Sequence, residues 1–202
     1  MFRIAFILSY IVLPLLMSSQ YDWRLEKDKS GIQVYSSKVP DSEFRATKVE
    51  CTLDGSYEKL ISVISDVSGM TDWVYKSSSC EIVETYATLD FLYTVVTEMP
   101  WPMDDRESVI HLQFQTENLP DSMTIIGTEA EEPIPEKPDL IRVSNYQATW
   151  KVTMPEEDKI HIEYILKLDP GGGIPPWMAN IMVEKGPYET FKGLSEKLKE
   201  LD

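Results

Sequence analysis

The chain has 202 residues and a formal net charge of −15, with 34 acidic against 19 basic side chains. That length fits one domain, and a 43% hydrophobic content is enough for a real core. The acidic balance argues against nucleic acid, since a phosphate backbone needs a basic footprint. It disfavours durable docking on an anionic membrane for the same reason, while transient membrane contact or a basic partner stays compatible with it.

The first segment reads as a leader. Met1-Phe2-Arg3 carries one positive charge, and Ile4 to Met17 is apolar except for Ser9, Tyr10 and Pro14. Ser18 and Ser19 follow, ahead of the polar Gln20-Tyr21-Asp22. Such an order is that of a secretory signal peptide. The apolar run, at about 14 residues, is short of the ~20 that a spanning helix needs. The expectation is a signal peptide over 1–19, an exported (periplasmic or secreted) protein, and a single domain over 20–202.

Short alternating strands follow at Gly31–Tyr35 and Phe44–Leu53, the second ending at the Asp54-Gly55 turn. Ser56 reads as a helix N-cap, with Leu60, Val63, Ile64 and Val67 at helical spacing and Gly69 as a stop. Strands are predicted over 80–86, 89–99, 107–115, 123–128, 140–154 and 160–168. Residues 129–139 are acidic and hold three prolines, which marks a loop. Pro175-Pro176 then opens a terminal helix, with Trp177, Ile181, Tyr188, Phe191, Leu194, Leu198 and Leu201 on one face. Gly186-Pro187 should kink it. Strands, one helix, many antiparallel strands and a last helix make an α+β class.

Period-two alternation assigns the faces. Phe91, Tyr93, Val95, Thr97 and Met99 share the inward side of their strand. Tyr146, Ala148, Trp150, Val152 and Met154 do the same, as do Ile160, Ile162, Tyr164, Leu166 and Leu168. Carried back unbroken, the phase also turns Arg142 and Ser144 inward. A charge there is costly unless paired. Arg142 is therefore left with three readings: a buried acid as partner, a ligand head group, or a bulge that turns it out.

Chemistry is sparse. His111 and His161 lie on the polar faces of their strands, so no general base points inward. No nucleophile elbow, phosphate loop or metal motif occurs, and no catalytic residue, metal or cofactor is expected. Cys51 and Cys80 lie on either side of the first helix. In an oxidising compartment they can form a disulfide; two separate buried thiols is the equal alternative.

Two motifs carry more information. Met99-Pro100-Trp101-Pro102-Met103-Asp104-Asp105-Arg106 closes one strand with prolines and opens the next behind an arginine. Asp169-Pro170-Gly171-Gly172-Gly173-Ile174-Pro175-Pro176-Trp177 joins the last strand to the terminal helix. With Trp23, Gly31–Tyr35, Asp66, Asp72-Trp73, Tyr93-Thr94, Arg142 and Trp150, they give a chain that resembles the StAR-related lipid transfer (START) family over residues 21–201. The resemblance implies a START-like helix-grip fold, a curved antiparallel sheet wrapped around a C-terminal helix with an internal cavity for one lipid. It also implies gating by that helix and by the loop Thr116–Ser122. Arg106-Glu107 departs mildly from the family's Arg-Asp, and the polar pair of cholesterol-binding members is not evident.

On this basis the expected function is binding of a lipid or other hydrophobic small molecule by a monomer without a cofactor, with transfer and sensing both open. The lining residues expected from strand phase are Tyr93, Val95, Thr97, Arg142 and Tyr164, with Trp177 and Ile181 on the lid. Trp101, Arg106 and Trp150 read as motif and packing residues. Two alternatives come from other classes: a helix-grip enzyme acting on a hydrophobic substrate, and a protein-interaction module using the acidic 129–139 loop.

Overall fold

A computed structural model describes residues 21–40, 42–131, 134–175, 178 and 181–201. The leader segment therefore lies outside the described residues, as does Trp177. Ten strands build one sheet: β1 (Arg24–Lys29), β2 (Ile32–Lys38), β3 (Arg45–Asp54), β4 (Ser77–Ala87), β5 (Asp90–Thr97), β6 (Asp105–Gln115), β7 (Met123–Glu129), β8 (Leu140–Arg142), β9 (Ser144–Glu156) and β10 (Lys159–Asp169). The order across the sheet is β1-β2-β3-β10-β9-β7-β6-β5-β4, while the short β8 pairs in parallel against the start of β6. Helix α1 (Tyr57–Ser65) connects β3 to β4, and α2 (Gly186–Lys199) ends the chain. Among the described residues no helix is long and apolar enough to cross a membrane.

Local chemistry explains most element boundaries. Ser30 (φ 55°) and Gly31 (φ 76°) form a two-residue turn with both central φ values positive, the geometry that matches strand twist, so β1 pairs β2 directly. This first strand has no clear signature in the sequence, where Trp23 and its neighbours carry no alternation. Ser56 caps α1 as expected: its hydroxyl accepts the Lys59 N–H at 3.3 Å. Tyr57, Leu60, Val63 and Ile64 bury one face of the helix. The helix stops at Ser65, ahead of Gly69, because Asp66 takes the N–H of Gly69 at 3.1 Å and the Ser68 hydroxyl at 3.0 Å.

The inward faces of the sheet gather against α1 and α2. Phe191, Leu194 and Leu198 of α2 are fully buried there. Gly193 sits where a Cβ would lie 2.6 Å from the Trp73 carbonyl, so its lack of a side chain lets α2 close on that backbone. Thr190 adds a hydrogen bond, its hydroxyl accepting the Tyr75 N–H at 3.1 Å. The interruption expected at Gly186-Pro187 takes a specific form. Residues Ile181–Lys185 make a π-helical turn, and α2 restarts at Gly186 with Pro187 in its first turn. Proline has no N–H for the preceding ladder and its ring crowds the carbonyl four residues back, so the turn before it widens.

The strand predicted over 140–154 is two strands. The chain breaks at Val143, whose N–H donates to the Glu107 carbonyl at 2.9 Å, and Asn145 takes a positive φ of 53°. The break reverses the phase, so Arg142 faces away from the interior. Its Nη2 donates to Glu107 Oε2 at 2.7 Å, and its two Nη atoms also reach the carbonyls of Ile134 and Pro135. Lys137 completes the group at 2.9 Å from Glu107 Oε1. The proline-rich acidic segment is thus tied to the outer face of β6 by a carboxylate that is only 2% exposed.

Cys51 on β3 and Cys80 on β4 stand as separate buried thiols, and the disulfide considered above is not formed. The two strands lie far apart in the sheet order. Burial pushes the Cys51 thiol up to about 12, which makes it inert as a nucleophile.

Burial pushes the Glu107 carboxyl up, but the hydrogen bonds and charges of Lys137 and Arg142 outweigh it and hold the group below its ordinary 4.5. A depressed folded-state value means that this stabilisation is complete above pH 4.5 and is lost as pH falls through the folded value. Glu107→Gln should therefore cost roughly 2–4 kcal/mol at neutral pH, leaving a partly buried guanidinium without its carboxylate. Urea denaturation should show the gap to the parent protein narrowing below pH 4.5. An equal gap at pH 7 and pH 3 would contradict a stabilising role for the ionised pair.

Candidate functional site: a cavity under the C-terminal helix

The sheet's inward face and α2 enclose a cavity of about 700 Å³, within the range of small-molecule sites. Its walls follow from strand alternation. Tyr93, Val95 and Thr97 come from β5; Ser108, Ile110 and Leu112 come from β6. β9 contributes Tyr146, Ala148 and Trp150, and β10 contributes Tyr164, Leu166 and Leu168. Phe191 of α2 and Met182 of the π-turn close the helix side. Phe191 stacks against Trp150 and Tyr164 with ring centroids 5.1 and 5.4 Å away, and those two rings are 4.6 Å apart. This aromatic contact fixes the helix over the trough at one end and leaves space beside it.

Four residues expected from strand phase, Tyr93, Val95, Thr97 and Tyr164, line the cavity. Trp150 and Arg106, read as structural motif residues, line it as well. Arg142 does not: a break in the strand turns it to the outer face, where it pairs with the buried Glu107, so the first and third of its readings hold together and the ligand reading does not. Ile181 lies on the π-turn, with its side chain outside the described residues. Tyr146 belonged to the predicted inward face without being singled out, and it proves part of the wall.

The gating loop expected at 116–122 is misplaced. It contributes nothing to the lining and sits at the far end of β6, where the Tyr57 hydroxyl donates to the Pro120 carbonyl at 3.2 Å. The segment that borders the cavity is instead Glu98–Asp105, between β5 and β6. The Asp105 carboxylate accepts the Met99 N–H at 2.8 Å and pins this loop at its base. Trp101 at its tip is 91% exposed, so it is no packing residue.

Charge is confined to the mouth. Lys76 and Glu98 form an exposed ion pair at 3.4 Å. Arg106 is 4% exposed, yet it serves the backbone more than any carboxylate. Its guanidinium donates to the carbonyls of Asp104, Pro170 and Gly171, and so joins the 98–105 loop to the turn before the terminal helix. Gly171 (φ 67°) permits that turn, and a Cβ on it would lie 2.8 Å from Ile141. Burial lowers the Arg106 pKa, and Asp104 and Asp105 push it back up.

The interior is neutral. Burial raises the phenols of Tyr93 and Tyr164 well above their ordinary value and Tyr146 to about 12, so all three stay protonated. The Trp73 indole N–H, in the same wall, has no hydrogen-bond partner among the described residues. His111 faces Asp90 at 2.6 Å and His161 faces Thr52 at 3.1 Å, both away from the cavity. Among the described residues no group of three or more His, Cys, Asp or Glu side chains is placed to hold a metal ion.

Similar proteins agree with this architecture. A StAR-related lipid transfer protein from Xanthomonas axonopodis is 25% identical in sequence and superposes with a TM-score of 0.78, covering 88% of this chain and 98% of that one. Human StAR-related lipid transfer protein 5, at 15% identity, shares the fold with a TM-score of 0.77 over 89% of this chain and 87% of its own. An uncharacterised protein of Pseudomonas aeruginosa is 30% identical over 174 residues, 86% of this chain and 85% of that protein. The START domain model matches residues 8–202. With a helix-gripping sheet, a cavity beneath its last helix and a family match over nearly its whole length, the chain belongs to the START domain family.

Proposed function

We propose that this protein binds one lipid, or a comparable hydrophobic small molecule, in the cavity under α2 and exchanges it with a bilayer at the cavity mouth. The observation that carries the reading is a space of about 700 Å³ between the sheet and α2 whose walls are mainly apolar and whose charges cluster where β5 ends and β6 begins. Filling such a space removes ligand surface from water, worth roughly 25 cal/mol per Å². The absence of a metal cluster among the described residues and the outward histidines favour binding over catalysis.

Access is assigned to the gap between the 98–105 loop and the π-turn. Both border the cavity, and the π-turn is held from outside by Lys27, 3.3 Å from Glu184 and 4.5 Å from the Tyr188 ring centre. Release of that exposed pair lets the segment before α2 swing while Phe191 stays anchored. Trp101, nearly fully exposed on the facing loop, is suited to the bilayer interface, where an amphipathic ring is favoured. A net charge of −15 keeps the contact brief and directs it to zwitterionic rather than anionic lipid. The leader over 1–19 makes this an exported carrier; N-terminal sequencing of the exported protein should start near residue 20, and a start at Met1 would contradict export by cleavage.

Two substitutions separate storage from exchange. Val95→Trp places a large ring in the cavity and should reduce uptake of a fluorescent lipid by about tenfold or more, with little loss of stability because it fills space. Trp101→Ala should leave equilibrium uptake unchanged but slow lipid transfer between phosphatidylcholine vesicles by roughly tenfold, the value of one lost interfacial ring. Unchanged uptake in folded Val95→Trp would remove the cavity as the binding site. An unchanged transfer rate in Trp101→Ala would remove the loop as the point of membrane contact.

A further inference from the structure

We infer that the hydroxyls of Tyr93, Tyr146 and Tyr164 form a neutral recognition site inside the cavity, which selects a ligand carrying an uncharged hydrogen-bonding group such as a hydroxyl or an ester carbonyl. The inference rests on the cavity being the ligand site, and it adds the chemistry of the ligand's polar group.

The three rings come from separate strands. Tyr93 on β5 lies opposite Ile110 in the register, and Tyr164 on β10 lies opposite Trp150. Tyr146 on β9 leans over β7 at Gly127, where an added Cβ would meet its Cε1 at 3.3 Å. Gly127 pairs with Leu112 on one side and Ala148 on the other, so a glycine and an alanine leave the trough that this ring occupies. All three rings line the one cavity, and their phenols influence one another's ionisation, Tyr146 with Tyr93 and Tyr164 with both.

Their polar atoms are not used up by the protein. Tyr93 is only 6% exposed and its hydroxyl has no protein hydrogen bond among the described residues. Tyr146 and Tyr164 line the same cavity with phenols near enough to influence each other's ionisation, and a phenol can both donate and accept, so such groups keep spare capacity. Both rings lie deep in the molecule, yet each keeps some exposed surface, and that surface is cavity wall. Elsewhere the wall is mainly hydrocarbon and aromatic ring, with the Trp73 indole N–H and the hydroxyls of Thr97 and Ser108 as further polar groups. A buried hydroxyl without a partner is unfavourable, and a ligand group that accepts or donates would satisfy it.

The surroundings exclude a charged group at this depth. The cavity residues next to these phenols in the strand register, Val95, Ile110, Ala148, Trp150 and Leu166, are all uncharged. Among these neighbours no cation stands by to neutralise a carboxylate or phosphate, and no carboxylate to neutralise an ammonium. Lys76, Glu98, Asp105 and Arg106 line the cavity where β5 ends and β6 begins, and Arg106 is held there by carbonyls. A buried unpaired charge is far more costly than a buried hydroxyl, so the site discriminates by charge as well as by hydrogen bonding.

The test uses the full chain and a matched set of sixteen-carbon probes, each displacing a bound pyrene-labelled alkane: hexadecane, 1-hexadecanol, methyl hexadecanoate, hexadecanoate and hexadecyltrimethylammonium. The alcohol and the ester should displace the reporter at about tenfold lower concentration than hexadecane, the value of one net hydrogen bond. The two charged probes should show no such advantage. Tyr93→Phe, Tyr146→Phe and Tyr164→Phe, combined in one protein, should erase the preference for alcohol over alkane while alkane binding itself persists, which also shows that the variant is folded. A preference that survives in the triple variant, or hexadecanoate as the tightest probe, would overturn the inference. Failure of the parent protein to bind the pyrene-labelled alkane at all would instead overturn the cavity reading, and this inference with it.

Discussion

The structure turns on one geometric mismatch: a curled sheet offers more apolar surface than its helices can fill. Helix α2 has 14 residues, a rod of about 21 Å in length and about 10 Å across. It is drawn onto the trough by Phe191 against Trp150 and Tyr164, and by the close approach of Gly193 to the Trp73 backbone. Those interactions seat the helix on one part of the sheet. The inward faces of β5, β6, β9 and β10 continue past it, and their side chains surround empty space. An ordinary core would close over such a gap, since the dispersion attraction forfeited across a void is costly. Here the sheet's hydrogen-bonded register keeps the walls apart, and a ligand supplies the atoms that the walls lack as neighbours.

Two adjacent residues of β6 hold the frame from opposite faces. Arg106 turns toward the mouth and ties the 98–105 loop to the glycine turn at 170–171 through three carbonyls. Glu107 turns outward and ties residues 134–142 to the back of the sheet through Lys137 and Arg142. Strand alternation gives each a separate task with no residue between them. Both are buried ionic groups, tolerable because each is well supplied with hydrogen bonds. Charge is thereby used to fix loops around the cavity while the cavity itself stays uncharged.

Period-two patterning makes the walls legible from sequence. The inward sets of β5, β9 and β10 need only local sequence, and they place Tyr93, Val95, Thr97 and Tyr164 on the cavity side. Two of the misreadings involve partners distant along the chain. Arg142 reads as inward because the alternation is continuous in sequence; its carboxylate lies 35 residues away, and the strand breaks at Val143, whose N–H goes to the carbonyl of the same Glu107. The 116–122 loop is assigned as a gate by family resemblance, and nothing local to that turn reveals that Tyr57 holds it at the far end of the sheet. Trp101 passes for a packing residue because an aromatic between two prolines has the same composition whether it is buried or fully exposed. Tyr146 falls on the correct face, yet its importance depends on Gly127 beneath it, one strand away.

The central claim is that the space beneath α2 is occupied by a hydrophobic ligand when the protein works. Native mass spectrometry of the protein purified from its own host, followed by organic extraction of whatever is bound, tests this most directly. The expected result is one extra mass per chain that partitions into organic solvent and is an amphiphile with an uncharged polar group. Protein that arrives empty and also takes up no added fluorescent lipid would contradict the claim, and would leave a START fold whose cavity serves no ligand.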